Sequence, residues 1–420
     1  MFKTKVWIFI FCLSISSAYS AGFSIYEQGA KASGMASAFI AQGNDLSSLF
    51  YNPAGITSLD GFQIGIGTTI IHTVFDFTGP EVIDSRMFTQ AEQGVFPPST
   101  FYATYKITSD LSVGFGFYSM FGLASEWGSE QEPWVGHYLT TKSALQTFSF
   151  NPVIAYKILD NLSIAVGGIA MQSNVLLEKD IYFYPRNLEG HSKLDASTMG
   201  YGFNAAMQYE PVQGLLLGAV YRSNVQLDFN DGTATFTFPQ TGDPIVDGEV
   251  AAFFPTPVKA TSQLTMPDFI GAGIAYRFTP NLTVEADYTR FGWSSYDKLV
   301  VDFAEPVGGQ TQSVAERNYH DASSVRVGLE YYALQNLALR TGYAWEESAV
   351  PDAFVEPSLP EGTRHIYSFG AGYITGGFKI DISYQVLLQD DRIVENSVLN
   401  FNGKYRGLAN MYSLSLGYAF

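Results

Sequence analysis

The side chains able to do covalent or metal chemistry are few in this sequence, and their spacing does not gather them. Its five histidines, His72, His137, His191, His320 and His365, are scattered without metal-ligand spacing and read as solvated loop or rim positions. No glycine-rich phosphate loop and no G-x-S-x-G nucleophile turn is present, and the single Cys is Cys12. The expectation is therefore a protein that is not an enzyme, holds no metal and needs no cofactor. An outer-membrane lipase stays open as an alternative, because folding could bring together a Ser and a His that lie far apart in the chain.

What the chain has in quantity is apolar and aromatic surface. Of 420 residues, 46% are apolar and only 15% charged, with 33 Phe, 26 Tyr and 40 Gly. Disorder, a disulfide scaffold and collagen are all excluded by these counts. The balance of 23 basic against 40 acidic residues argues against a nucleic-acid partner, which would need a basic footprint. So many aromatics must either fill a very large core or face something other than water.

The first twenty residues indicate the destination. Lys3 and Lys5 precede an apolar stretch from Val6 to Ile15, followed by the small residues Ser16, Ser17, Ala18 and Ser20. This predicts a secretory signal peptide over residues 1–20, cleaved after Ser20 to leave Ala21-Gly22-Phe23 and to discard Cys12. Nothing after it approaches the 18 or so apolar residues of a spanning helix.

Period-two alternation is dense instead. Phe378, Ile380, Ile382, Tyr384 and Val386 alternate with Lys379, Asp381, Ser383 and Gln385, and Tyr412 to Phe420 repeats the pattern. Six short turns separate such ribbons, around Asp110, Asp160-Asn161, Gly214, Pro280-Asn281, Asn336 and Gly376-Gly377. The other connections are longer and more acidic: Asn230 to Pro257, Ala304 to Asp321, and Ser348 to Arg364. Short turns at one rim and long loops at the other mark an outer-membrane barrel. The hairpins, with one strand before them (Phe62 to Phe77) and one after (Tyr405 to Phe420), predict an all-β fold: a transmembrane antiparallel barrel of about 14 strands with both ends facing the periplasm. This places the protein in the outer membrane of a Gram-negative bacterium, bathed in its lipid.

Residues 21–60 do not alternate. A tract of small residues, Ala30, Ala32, Gly34, Met35, Ala36, Ala38, Ala41 and Gly43, leads to Asp45 to Gly55 with the turn initiator Asn52-Pro53. Too poor in charge for an external tail, the segment is predicted to fold into the lumen as a hatch of short helices, ahead of a barrel over residues 61–420.

The start Ala21-Gly22-Phe23 and the motif Asn52-Pro53-Ala54 resemble the FadL family of outer-membrane transporters for long-chain fatty acids and other hydrophobic compounds. So do Phe121 to Trp127, Tyr221-Arg222-Ser223 with Asp228-Phe229, Leu264 to Pro267, and Arg340-Thr341-Gly342 with Glu346 to Pro351. Their order and spacing cover nearly all of the chain after the signal. The resemblance implies a fourteen-stranded barrel closed by a hatch, in which outer loops capture ligand and pass it to an apolar pocket beside the hatch. Ligand then leaves sideways through an inward kink of the third strand, which maps onto Ser119, Met120, Phe121, Gly122, Leu123 and Ala124. Gly122 suits such a kink through its free backbone and its missing side chain. Phe23, with the α-amino group of Ala21 nearby, is implied as pocket lining, Asn52, Pro53 and Ala54 as hatch motif, and Lys179, with His320 second, as the cation for a carboxylate. Phase alone leaves open which way Lys179 and His320 point.

The connection Pro185 to Ala196, after the fifth strand, is shorter than the family's helical excursion there. Phe236, Phe238, Phe253 and Phe254 in Asn230 to Pro257 are the substitute capture surface. The implied function is passive uptake of fatty acids, or of aromatic hydrocarbons as some family members do. A general porin with an open polar lumen is the alternative from another class. The terminal Phe420, with Tyr418 two before it, resembles the signature read by barrel-insertion machinery.

Overall fold

The computed structural model describes residues 22–79, 87–92, 95–128, 134–184 and 186–420. The expected signal peptide, Cys12 and Ala21 lie outside them. The chain closes into one antiparallel barrel of fourteen strands. In chain order these are β1 (Phe62–Thr78), β2 (Val95–Phe96 and Ser99–Lys106), β3 (Leu111–Tyr118 and Gly122–Glu126), β4 (Lys142–Leu159) and β5 (Leu162–Phe183). There follow β6 (Leu188–Val212), β7 (Leu215–Arg222 and Val225–Thr237), β8 (Val258–Met266 and Phe269–Thr279), β9 (Leu282–Phe291 and Lys298–Val307) and β10 (Gln310–Glu316 and Ala322–Leu334). Then come β11 (Leu337–Glu346), β12 (Arg364–Thr375), β13 (Phe378–Gln389 and Arg392–Val394) and β14 (Gly403–Ala419). The seam is a full ladder of β1 on β14, from Gln63↔Ala419 to Thr78↔Lys404. Closure joins the first strand to the last, so that neither presents an open edge to lipid, where an unpaired N–H or C=O would cost several kcal/mol.

The alternation of the ribbons divides the two faces. Ile66, Val166, Phe203, Phe369 and Ile382 are exposed on the outside, where lipid would cover them. Tyr105, Tyr156, Tyr276, Tyr331 and Tyr373 stand exposed beside the short turns, as an interfacial girdle does. The inward positions are not simply small and polar. Glu285, Asp287, Arg326, Glu330, Arg340 and Asp381 project into the lumen and are buried or nearly so.

The strands run past the membrane on the long-loop side, which corrects three boundaries. Of the connection Pro185 to Ala196, Pro185 lies outside the described residues and Leu188 to Ala196 is strand: β5 and β6 pair without a break up to Phe183↔Leu188. Asn230 to Pro257 begins as the end of β7 and carries one helix, Pro244–Phe253, whose residues are not buried. Ala304 to Asp321 is largely the upper hairpin of β9 and β10. Period two continues through these segments, but on hydrophilic residues, so apolar alternation misses them.

Residues 22–61 fill the lumen. Two single-turn helices, α1 (Ala30–Ser33) and α2 (Ser48–Tyr51), and a 3-10 turn (Pro53–Ser58) are linked by loops. Small residues are required because hatch backbone lies directly on wall backbone: a Cβ on Gly218 would fall onto the carbonyl of Ile40, and one on Gly370 would come 2.8 Å from Gly34 Cα. Loops of this kind expose backbone N–H groups that no helix ladder satisfies, and the wall accepts them. Asp287 Oδ2 accepts from Phe39 and Ile40 N–H at 2.7 and 3.0 Å, and Glu285 accepts from Ala41 and Gln42 N–H at 2.6 and 3.2 Å. Arg326 donates to the Ala36 carbonyl at 2.9 Å, stacks on Tyr26 and pairs with Glu346. Lys31 of α1 reaches Glu330 at 3.4 Å, which Arg340 also holds at 2.7 Å.

Removing the acceptor from buried N–H groups costs about 1–3 kcal/mol. Asp287→Ala or Glu285→Ala should therefore loosen the hatch by that much, accelerating amide exchange at residues 39–42 while the barrel keeps its heat-modifiable migration on gels. Unchanged exchange there would show that the hatch does not depend on these carboxylates.

Candidate functional site

The site is built where the wall is interrupted. The lower part of β3 pairs with β2 through Phe101↔Phe117 and with β4 through Tyr118↔Ser149. The upper part, Gly122–Glu126, pairs with β4 and, among the described residues, with no part of β2. Between them Ser119, Met120 and Phe121 face only two residues of β4, a bulge that turns the strand inward and buries all three. Thr147 Oγ1 pins the bulge, accepting from Phe121 N–H at 3.0 Å and donating to the Phe121 carbonyl at 2.7 Å.

The free edge of the kink is covered by the start of the hatch. Ile25 N–H donates to Met120 O at 2.8 Å, Gly122 N–H to Phe23 O at 3.0 Å, and Gln28 Nε2 to Ser119 O at 2.6 Å. Residues 23–25 thus act as a short surrogate strand where β2 withdraws. Gly122 serves this by absence of bulk: a Cβ there would lie 2.6 Å from Ile25 Cδ1, and its φ is not in the left-handed region. The expected freedom of its backbone is therefore not what the kink uses.

Phe23 packs its ring on Trp293 at 4.4 Å between centroids, with Phe121 and Tyr296 further out. Gly22 N–H donates to Glu361 Oε1 at 2.6 Å, and Arg364 donates to Gly22 O at 3.1 Å. Burial pushes the Glu361 carboxyl up from its ordinary range, and the Arg364 guanidinium pulls it partly back.

A cavity of about 910 Å³ lies at this junction. Its wall includes Phe23 and Ile25 of the hatch, Ile71 and Phe75 of β1, Leu123 above the kink, and Met411 of β14. On β4 it touches both the lumen-facing Leu145 and Thr147 and the outward Gln146 and Phe148. It therefore wraps the edge of the wall from inside to outside. The volume lies toward the top of the usual range for ligand sites, roughly 300–1,000 Å³. Two cations border it: Lys142, bonded to Glu126 at 2.6 Å, and Arg364, which has Glu346 and Glu361 at 3.7 and 3.9 Å.

The sequence-derived residues thus divide. Phe23 and five of the six kink residues, all but the buried Met120, line the cavity. Asn52, Pro53 and Ala54 do not: Asn52 accepts from Ala54 N–H at 3.2 Å and donates to Ile40 O and Met207 O at 2.7 and 2.9 Å, pinning hatch to wall. Lys179 shares the phase of the lumen-facing Ser163, Met171 and Ser173, but it is exposed and outside the lining. His320 sits between the two segments of β10, its backbone N–H bonded to Ala349 O at 3.0 Å, also outside the lining. Arg364, Lys142, Trp293 and Glu361 are not in the sequence-derived set; for Arg364 the only signal was its place where a long loop enters a strand. Among the described residues, converging metal donors occur at His137, Asp180 and Glu189, away from the cavity.

Residues 11–420 match the family described as outer membrane protein transport proteins (OMPP1/FadL/TodX). A long-chain fatty acid transport protein of Escherichia coli is 24% identical over 403 residues, which cover 88% of this chain and 86% of that one. The crystal structure of a FadL homologue from Pseudomonas aeruginosa superposes with a TM-score of 0.82 at 19% identity, covering 95% of this chain and 100% of the other. That of the toluene transporter TodX of Pseudomonas putida gives 0.73 at 16% identity, covering 94% and 99%.

Leucine at Gly122 should collide with Ile25 and lift residues 23–25 from the kink. In a chain with Cys12→Ser and a single thiol introduced by Ser24→Cys, Gly122→Leu should raise the rate of maleimide labelling several-fold. An unaltered rate would show that the contact does not hold the segment.

Proposed function

Because this chain belongs to the family of outer-membrane transport proteins (OMPP1/FadL/TodX), we propose that it takes up hydrophobic molecules passively and releases them sideways into the bilayer. The observation that carries this reading is the cavity lined by both faces of β4 at the point where upper β3, among the described residues, pairs with no part of β2. A fatty acid with about fifteen methylenes gains roughly 12 kcal/mol on leaving water, at about 0.8 per CH₂. Release into the periplasm would forfeit that gain, whereas a path through the wall keeps the chain in apolar surroundings throughout. Movement along it is downhill and needs no coupled energy source.

Capture falls to the outer aromatic cluster. Phe183, Phe236, Phe238 and Phe254 pack together, with Phe238 and Phe254 at 4.9 Å, while Phe253 and Ile245 of the overlying helix stay exposed. The ligand class that fits first is a long-chain fatty acid. Its carboxylate would meet Arg364, whose two carboxylate neighbours both lie beyond hydrogen-bond distance. The role given to Lys179 by resemblance passes to Arg364, since Lys179 does not border the cavity.

A second reading, a neutral aromatic hydrocarbon, is favoured by the acid excess of the lining, where Glu27, Glu92, Glu126 and Asp195 outnumber Lys142 and Arg364. Parallel uptake assays separate the two. Arg364→Gln should lower oleate uptake about tenfold, the equivalent of 1.4 kcal/mol, and leave toluene uptake near wild type. Wild-type oleate uptake in that variant would exclude carboxylate recognition by Arg364. Uptake of toluene but never of oleate by the unaltered protein would establish the second reading.

A further inference from the structure

We propose that His137, Asp180 and Glu189 form a binding site for a divalent transition-metal cation of the zinc type on the outer rim of the barrel. The β5–β6 ribbon builds most of it. Its cross-strand pairs Asp180↔His191 and Tyr182↔Glu189 fall on the outward face, beyond the apolar band of the strands. The connection between β3 and β4 supplies the remaining side, held along β5 by Asp180 N–H to His137 O at 2.9 Å and Thr141 N–H to Glu178 O at 2.9 Å.

These elements converge three ligand atoms. His137 Nδ1 lies 2.8 Å from Asp180 Oδ2 and 3.4 Å from Glu189 Oε1, and the three residues' ligand atoms all fall within 4.8 Å of one another. Donors about 2.0–2.2 Å from a tetrahedral zinc ion stand roughly 3.3–3.5 Å apart, so rotamer adjustments suffice to admit the ion. One imidazole with two carboxylates suits zinc and its neighbours better than magnesium or calcium, which prefer shells of oxygen alone.

The carboxylates are themselves oriented. His191 Nδ1 lies 2.9 Å from the other oxygen of Asp180 and its Nε2 3.7 Å from Glu178, while Tyr138 donates to Glu189 at 2.7 Å. Such outer partners fix the angle of a metal's ligands and raise affinity; His191 is a positioning residue here. The side chains of His137 and Asp180 are about a fifth exposed and that of Glu189 about half, so the site opens to the medium outside the cell. Binding would fasten the connection that carries Trp134, which stacks on Trp127 at 4.8 Å just beyond the cavity-lining Glu126. The ion would therefore stiffen the roof beside the cavity.

The test uses the folded full-length barrel in detergent, stripped with EDTA and titrated calorimetrically with Zn²⁺. One saturable ion per chain is expected, with affinity lowered roughly tenfold or more by His137→Ala and Asp180→Asn, about tenfold by His191→Ala, and unaltered by His365→Ala. Zn²⁺ should also slow amide exchange across residues 134–141 in the unaltered protein but not in His137→Ala. Because the residues lie above the membrane band, gel heat-modifiability is expected to confirm that each variant folds. Absence of saturable binding, or an affinity in His137→Ala and Asp180→Asn equal to that of the unaltered protein, overturns the proposal.

Discussion

In a bilayer, every backbone N–H and C=O of the wall must find a partner within the protein, and the rest of this architecture follows from that demand. A barrel satisfies it by closing on itself. An opening in the wall breaks it locally, because the strand beside the opening loses its ladder. Here β3 bulges inward at Ser119 to Phe121, and the lost partners are replaced by two backbone bonds from residues 23–25, the Gln28 side chain and the Thr147 hydroxyl. The start of the hatch therefore belongs to the wall as much as to the plug.

The same demand explains why a lumen under an apolar exterior is full of charge. A hatch made largely of loops carries donors and acceptors that it cannot pair internally, and water is excluded from most of it. Asp287 and Glu285 meet that need as acceptors, and Arg326 as a donor whose charge strengthens the bond. The two wall arginines are countered in turn: Arg326 by Glu346, and Arg340 by Glu330 and Asp381.

Much of this was legible in the sequence because barrel strands and tight turns obey local rules. The six short turns stand where their Asp, Asn, Pro and Gly residues placed them, and β1 and β14 begin or end within a residue or two of the expected ribbons. The outer extensions were not legible as strands, since a ribbon above the membrane alternates among polar residues and reads as loop. The inward charges carried a signal, their alternate positions on otherwise apolar ribbons, but their partners lie on the hatch hundreds of residues away. His137 and His191 are 54 positions apart and meet around Asp180 only because the β3–β4 connection lies against the β5–β6 ribbon. Spacing along the chain cannot express such an encounter, and for the same reason Arg364 could not be tied to the N-terminal residues.

The contact of hatch backbone on wall backbone has an effect on what this sequence can become. In a soluble sheet the inner face is discriminating about size but accepts exchanges among apolar side chains, while the outer face is lenient. Along β7 and β11 the strictest inner positions are Gly218 and Gly342, where even one added carbon meets the hatch main chain. The lipid-facing positions between them ask only for oil-loving bulk. Substitution should thus be graded in alternating steps around the barrel, with the severest constraint falling on residues that have no side chain at all. Divergence within such a fold is channelled outward, onto the lipid face and the rim.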